Sequence, residues 1–349
     1  MTQPTSSLPG SLRIGPLLAI PALLREAGVS PDLVFHEAGV SRSAFADADR
    51  RIPYERLGCL LEACARHTGC AHFGLLVGER FNLAGLGDIG ELMRHCPTVG
   101  DALRALTLHL HLHDRGAVPV LLEVSETFSL LSYCLCHYDS TVTAPIHDVA
   151  LTIGQRILRQ LCGPGWTAHG VQFSRPRPAS VRAHQRVFGC KLRFDAEMPG
   201  LLFENRWLQH AIRGAAPSAH ARLAAQLGAA HCGMRLSEQV ERILQSLIPG
   251  GHASAAAVSR LLGLSERTLR RRLEAEGSTL RGLVNQVRFD SARQLLRDTR
   301  LPVSAIAAFL QYEDANAFIR AFTGWAGSSP LQWRLKLIRK TRPAGSALA

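Results

Sequence analysis

The stretch Val258-Ser259-Arg260-Leu261-Leu262-Gly263-Leu264-Ser265-Glu266-Arg267-Thr268-Leu269-Arg270-Arg271-Arg272-Leu273 decides how this chain is read. Its apolar spacing predicts a helix over Ala253 to Leu262, stopped by Gly263-Leu264-Ser265. A second, basic helix follows over Glu266 to Glu274. A helix, a glycine turn, a serine cap and a second helix are the parts of a helix-turn-helix. Leu269 and Leu273 are spaced i, i+4 and are expected to pack inward. Arg267, Arg270 and Arg271 then project outward. The arginine fork suits guanine, whose O6 and N7 it can bond together in the major groove.

The arrangement recurs further along. Val303 to Leu310 reads as a helix with Ile306 and Leu310 inward, Gln311-Tyr312-Glu313 as the turn, and Asp314 as the cap. Ala315 to Thr323 is then a second recognition helix with Phe318 and Phe322 as its buried pair. Ala315, Asn316, Ile319 and Arg320 are expected to face out. Asn316 suits adenine, and Ala315 or Ile319 suits thymine methyls. Between the motifs lies a long helix, Leu280 to Arg297, with Leu280, Leu283, Val284, Val287, Ser291 and Leu295 on one stripe. A rigid spacer of this kind would set the recognition helices about one duplex turn, roughly 34 Å, apart. Upstream, Leu236, Val240, Ile243, Leu244 and Leu247 form another apolar helical stripe.

Composition bounds the rest. A chain of 349 residues is expected to fold as two domains. With 46% hydrophobic and 19% charged residues it is globular rather than disordered. No apolar run approaches the roughly 18 residues that span a bilayer, so no membrane partner is expected. Met1 to Gly10 has neither a basic start nor an apolar signal core, so a cytoplasmic, nucleoid-associated protein is expected. The net charge is +12, almost all from arginine. It is uneven: from His252 onward 16 Lys+Arg face 7 Asp+Glu, a net of +9, while the first 251 residues carry 24 against 21, a net of +3. A basic C-terminal region on a nearly balanced body points to a polyanion partner, here double-stranded DNA.

The first half has mixed patterning. Helices are expected over Arg51 to Ala65, Thr98 to Asp114 and Ala144 to Leu161. Val118 to Val124 and Phe128 to Cys136 read as a hairpin, and Val171 to Ser174 and Lys191 to Phe194 as short strands. The expected fold is an α+β N-terminal sensing domain over 13–205 and an all-α domain over 236–340 with two helix-turn-helix motifs joined by a long helix. Helix dominates overall. Residues 206–235 read as a partly helical linker, and 1–12 and 341–349 as disordered tails.

The quoted stretch resembles the first motif of the AraC/XylS family of bacterial transcription regulators. Ile306-Ala307, Phe318-Ile319-Arg320-Ala321-Phe322-Thr323-Gly324-Trp325-Ala326-Gly327-Ser328-Ser329-Pro330 and Trp333-Arg334 are similar to that family's closing signature. The resemblance covers Leu236 to Lys340 and implies two helix-turn-helix motifs in adjacent major-groove segments. One departure is in the second turn, where the family has Gly-Phe and this chain has Gln311-Tyr312. Gln311 lacks glycine's ease at positive φ, so strain or a different turn shape is expected. Glu313 and Asp314 at the start of the second recognition helix repel phosphate, so the first motif is expected to supply more of the binding energy. Ile52 to Phe203 resembles the arabinose-binding type of sensing domain found in regulators such as that of ornithine utilisation. The resemblance rests on His72-Phe73-Gly74-Leu75, Gly85-Leu86-Gly87, Pro97-Thr98-Val99-Gly100-Asp101-Ala102-Leu103 and Phe188-Gly189-Cys190. It implies a small-molecule effector and a homodimer, with RNA polymerase a further candidate partner.

Other clusters invite chemistry. His109 and His113 would share a helix face, the spacing of a two-histidine metal clamp, but no glutamate stands between them as a metalloprotease helix requires. They are expected to lie partly exposed or against the hairpin. Cys134 and Cys136, with His137, would share one side of a strand, where buried thiols are common. Nine irregularly spaced cysteines without a Cys-x-x-Cys pair read as reduced thiols. No catalytic motif is found, and neither a metal nor a cofactor is expected. The competing readings are a metal- or thiol-based sensor, a regulator without an effector, and an enzyme domain fused to a DNA-binding tail.

Overall fold

A computed structural model describes residues 10–115, 117–135, 143–229, 235–248 and 253–341. The chain divides into two compact units, 1–232 and 233–349. Unit 1 runs β1 (Ser11–Arg13), α1 (Ile20–Glu26), α2 (Pro31–Ala38), β2 (Arg51–Pro53), α3 (Tyr54–Thr68), α4 (Phe73–Glu79), α5 (Asp88–Arg94), α6 (Val99–His109), β3 (Ala117–Glu123), β4 (Phe128–Leu135), α7 (Ala144–Cys162), β5 (Gly170–Gln172), α8 (Arg182–Phe188), β6 (Lys191–Arg193), β7 (Gly200–Glu204) and α9 (Pro217–Ala229).

Local sequence explains the main elements. The expected hairpin forms, with Ala117 opposite Leu135 and Glu123 opposite Ser129. It belongs to a sheet of order β3-β4-β7-β5-β6, antiparallel except for the β5–β6 pair. Thr98 caps α6: its hydroxyl accepts from the Asp101 N–H at 3.1 Å and donates to the Asp101 carboxylate at 2.7 Å. Leu57, Leu60, Leu61 and Cys64 are buried on α3 as their spacing predicts, although the expected helix start is strand β2.

Helix α7 is the organiser. Ile146 and Val149 join a core with Ile20, Phe35, Tyr54 and Phe73, whereas Leu151, Ile157, Leu158 and Leu161 join another with Leu106, Trp166 and Phe203. Helix α4 reaches α7 across Gly74 and Gly78. A Cβ at Gly78 would stand 2.5 Å from the Thr152 Cβ, and one at Gly74 2.6 Å from the Pro145 carbonyl oxygen.

Several expectations are corrected. The partial exposure expected of His109 and His113 is not met, whereas the alternative, packing at the hairpin, is: both are buried, 9% and 3% exposed, because α6 ends at His109 and a 3₁₀ turn, Leu110–Leu112, carries the chain inward against β3. Ser11 and Leu12, assigned to a terminal tail, form β1 and pair with Pro53 and Ile52. The segment read as a partly helical linker does contain a helix, α9, but that helix belongs to the packed body of unit 1, with Leu223 and Leu227 buried in the second core. Cys136 and His137 lie outside the described residues, as do 1–9 and 342–349.

Unit 2 consists of α10 (Leu236–Leu247), α11 (Ala255–Leu262), α12 (Glu266–Ala275), α13 (Leu280–Asp298), α14 (Val303–Phe309), α15 (Ala315–Ala326) and α16 (Pro330–Thr341). On the long helix the buried apolar residues are Leu283, Val287, Ala292, Leu295 and Leu296, with Gln294 buried beside them, while Leu280, Val284 and Ser291 are half-buried. Among the described residues no helix is long and apolar enough to cross a membrane.

Two predictions follow from this packing. Gly78→Ala is expected to destabilise unit 1 by about 1–3 kcal/mol through overpacking, read as a lower urea midpoint at unchanged slope. The second concerns acid. Burial, helped by Arg13 and Arg51, pushes His113 down to about 3, and burial pushes His147 down to about 4. Both rings stay neutral when folded, but protonate near 6.5 when unfolded. Their contribution is therefore complete above that pH and is lost as pH falls toward the folded values, by up to about 1.4 kcal/mol per ring per pH unit. The melting temperature should fall steadily from pH 6.5 to 4.5, and His147→Gln should flatten that slope.

Candidate nucleic-acid interface and sensing cavity

The first motif is built by caps and one buried pair. Ser254 accepts from the Ala257 N–H at 3.1 Å and starts α11, and Gly263 ends it at φ +63°. Ser265 accepts from the Thr268 N–H at 3.1 Å and starts α12. Leu269 and Leu273 are buried, and Arg267, Arg270 and Arg271 are exposed. Arg271 stands opposite the buried pair, while Arg270 flanks it on one side and Arg272, also exposed, on the other. Arg272, which the sequence reading did not include, lies as far from the buried pair as Arg270 does. Arg270 is 3.9 Å from Glu274, an exposed contact of little energetic weight. The end of α12 is tied down by Glu276, whose carboxylate accepts the Leu236 and Ser237 N–H groups, both at 2.8 Å, at the start of α10. Those bonds, that from Ser237 foremost, hold the Glu276 carboxyl below its usual range.

The second motif repeats this with one substitution. Gln311 takes φ +60°, the left-handed conformation that Gly263 takes in the first. The Gln311 N–H donates to the Ala308 carbonyl and the Tyr312 N–H to the Ala307 carbonyl, which closes α14. The strain is held by contacts: the Gln311 side-chain amide donates to the Ile248 carbonyl, and Arg288 donates to the Gln311 carbonyl at 3.1 Å. The Arg288 guanidinium also lies 4.8 Å from the Tyr312 ring centre. Asp314 accepts from the Ala317 N–H at 2.6 Å and starts α15. Phe318 and Phe322 are fully buried in an aromatic cluster with Phe289 and Trp333. Asn316 and Arg320 are exposed; Ala315 and Ile319 are half-buried, because they shoulder the phenylalanine pair.

Unit 1 holds a cavity of about 90 Å³ where its two cores meet on α7. Leu57, Leu106, Leu131, Val149 and Ile157 supply apolar wall, and His113, Asp114 and Tyr133 stand at its polar end. The Asp114 carboxylate accepts the Tyr54 hydroxyl at 2.6 Å, the Tyr133 hydroxyl and the Ala117 N–H at 3.1 Å. Burial, then the Asp114 charge, pushes the Tyr54 phenol well up, so it remains a donor. Burial also pushes the Cys64 and Cys162 thiols up to about 12 and those of Cys96 and Cys190 to about 11, which leaves them unreactive. Cys134 is buried on β4.

Replacing Gln311 by alanine keeps the strained φ and removes the side-chain bond, at an expected cost of about 1 kcal/mol. Gln311→Gly should cost less, since the strain is relieved; chemical denaturation of both variants checks the order.

Comparison with known proteins places these features. Residues 28–212 match the arabinose-binding domain of AraC transcription regulators, and residues 258–336 match a helix-turn-helix domain. The chain is 27% identical over 319 residues to the HTH-type transcriptional regulator VirS of Mycobacterium tuberculosis, covering 89% of this chain and 93% of VirS. It is 26% identical over 327 residues to the ornithine utilization regulator of Pseudomonas aeruginosa, with the same shares covered. The crystal structure of the transcriptional regulator CdpR from Pseudomonas aeruginosa is 24% identical, covers 92% of this chain and 96% of its own, and superposes with a TM-score of 0.48. With the N-terminal match alone spanning more than half of its length, the chain belongs to the AraC family of DNA-binding transcription regulators.

Proposed function

We propose that this regulator reads one specific operator through α12 and α15, as a homodimer, under control of a small-molecule effector bound by unit 1. It is a regulator without enzymatic turnover, and contact with RNA polymerase is part of the same reading. The observation that carries it is the α12 face: Arg267, Arg270 and Arg271 exposed over a buried leucine pair, on a helix fixed at its start by Ser265 and beyond its end by Glu276. Side chains held on a rigid helix discriminate bases better than mobile ones, because less freedom is lost on binding. On α15, Asn316 and Arg320 are the reaching residues, while Ala315 and Ile319 offer apolar surface to thymine methyls. Arg320 stands on a helix that Glu313 and Asp314 begin, so phosphate attraction is weaker there than at α12.

Genome-wide mapping of the bound sites, followed by footprinting, tests the reading. Protection over two adjacent major-groove turns is expected, and diffuse binding that vanishes with salt would overturn it. Arg270→Ala or Arg271→Ala should cost about 1–3 kcal/mol at the operator and relax a guanine preference. Arg320→Ala should cost less. Equal weakening on operator and random DNA would reduce these arginines to phosphate contacts.

A further inference from the structure

The cavity of unit 1 contains a contrast that folding alone does not require. Asp114 is 3% exposed and fully engaged by two tyrosines and a backbone N–H. Its neighbour His113 is equally buried and lines the same cavity, yet neither ring nitrogen has a hydrogen-bond partner. A buried polar group left unpaired costs about 1–3 kcal/mol. A neutral imidazole offers one donor and one acceptor, so His113 holds two unused hydrogen-bonding positions beside an apolar space.

The wall narrows what can fill it. Space of about 90 Å³ accommodates roughly six to nine water-sized groups, at about 10–15 Å³ for each. Asp114 is the charged side chain among the lining residues, and it repels an anion. The nearby guanidiniums do not offset this. Arg51 donates to the Ser11 hydroxyl and carbonyl and to the Leu112 carbonyl, Arg13 pairs with Asp49 at 3.2 Å, and neither lines the cavity. A cation is disfavoured in turn, since the Asp114 carboxylate already accepts three hydrogen bonds and Arg13 and Arg51 act repulsively on a positive charge at His113.

We propose that this cavity is a ligand site for a small, neutral, mainly apolar molecule whose single hydroxyl or carbonyl head bonds His113. Its role as the effector site rests on the reading of unit 1 given above. The location fits that role: the wall draws Leu57 and Val149 from one core and Leu106 and Leu131 from the other, so an occupant touches both.

Calorimetric titration of the full chain with octan-1-ol, octanoate and octylamine tests the assignment. Octan-1-ol is expected to bind at one site and raise the melting temperature, with the two charged analogues at least about tenfold weaker. Ala150→Leu, which adds three carbons at the cavity wall, should abolish binding. His113→Leu should weaken octan-1-ol about tenfold, the loss of one hydrogen bond. Absence of saturable octan-1-ol binding, or binding that survives Ala150→Leu, overturns the site. Octanoate or octylamine binding as tightly overturns the head-group assignment. Operator affinity measured with and without octan-1-ol separates the two readings. Saturable binding that leaves operator affinity unchanged keeps the ligand site and counts against its coupling to DNA.

Discussion

Helix α7 closes two cores at once, and most of unit 1 is arranged around that demand. Its two apolar faces point in different directions: Ile146 and Val149 toward the helices of the first fifty to eighty residues, Leu151, Ile157 and Leu158 toward the sheet and α6. A helix so shared must be approached closely from both sides. Gly74 and Gly78 allow α4 to come within contact of the α7 backbone, and Gly154 on α7 lets Leu201 of β7 close to the helix. Dense packing is achieved along each face, but the seam where the faces diverge is left open, and the cavity lies there. The position follows from the architecture, and it explains how occupancy of a small space could bias a whole unit. A ligand shifts an equilibrium only as far as it binds one state better than another, and an occupant contacting both cores senses any change in how they meet.

Unit 2 solves a different problem with the same economy. Recognition helices of ten and twelve residues are too short to be stable by themselves in water, so tertiary contacts must hold them. Both motifs use one grammar: a left-handed residue ends the first helix, an oxygen-bearing side chain caps the second, and an i, i+4 apolar pair anchors it. Gly263 satisfies the first requirement without strain. Gln311 satisfies it at a cost that its bond to the Ile248 carbonyl and the Arg288 bond to its own carbonyl offset. The second turn is thereby linked to α10 and α13, which the first turn, with a glycine, has no side chain to do.

Legibility in the sequence followed the strength of local signals. The helix-turn-helix elements were readable because caps, turns and period agree: Ser265, Asp314, Leu269 with Leu273, and Phe318 with Phe322 all act as their spacing predicts. The strain at Gln311 was legible for the same reason. In unit 1 the hairpin, α7, β5 and β6 were readable, but β1 and β2 were not, because three residues that pair only with each other carry no signal against a neighbouring tail and a neighbouring helix. The helical character of α9 was legible but its place in a core was not, because an alanine- and glycine-rich composition looks like a connection until Leu223 and Leu227 are buried. The burial of His109 and His113 depended on where α6 stops, and the 3₁₀ turn after it has no clear composition signal. The cavity was out of reach altogether, because its walls come from residues scattered from Leu12 to Leu201.

His113 and Asp114 show why adjacency in sequence says little about role. Both are removed from water to the same degree. Around Asp114 the fold supplies Tyr54 from α3 and Tyr133 from β4, so the carboxylate joins α3 and the hairpin through one buried network. Such a network rigidifies when every member is satisfied. Around His113 no group bonds either ring nitrogen, and burial, helped by the Arg13 and Arg51 guanidiniums, keeps the ring neutral. A hydrophobic residue there would relieve the unpaired nitrogens and fill the same volume, so packing alone gives no reason for an imidazole. The satisfied carboxylate therefore fixes the geometry of the cavity's polar end, and the unsatisfied imidazole leaves that end able to discriminate between occupants. A site that must hydrogen-bond its ligand rejects the analogue lacking the bond more sharply than an apolar pocket does. Rigid on one side and unspent on the other, the pair gives a largely hydrocarbon cavity its single element of chemical specificity.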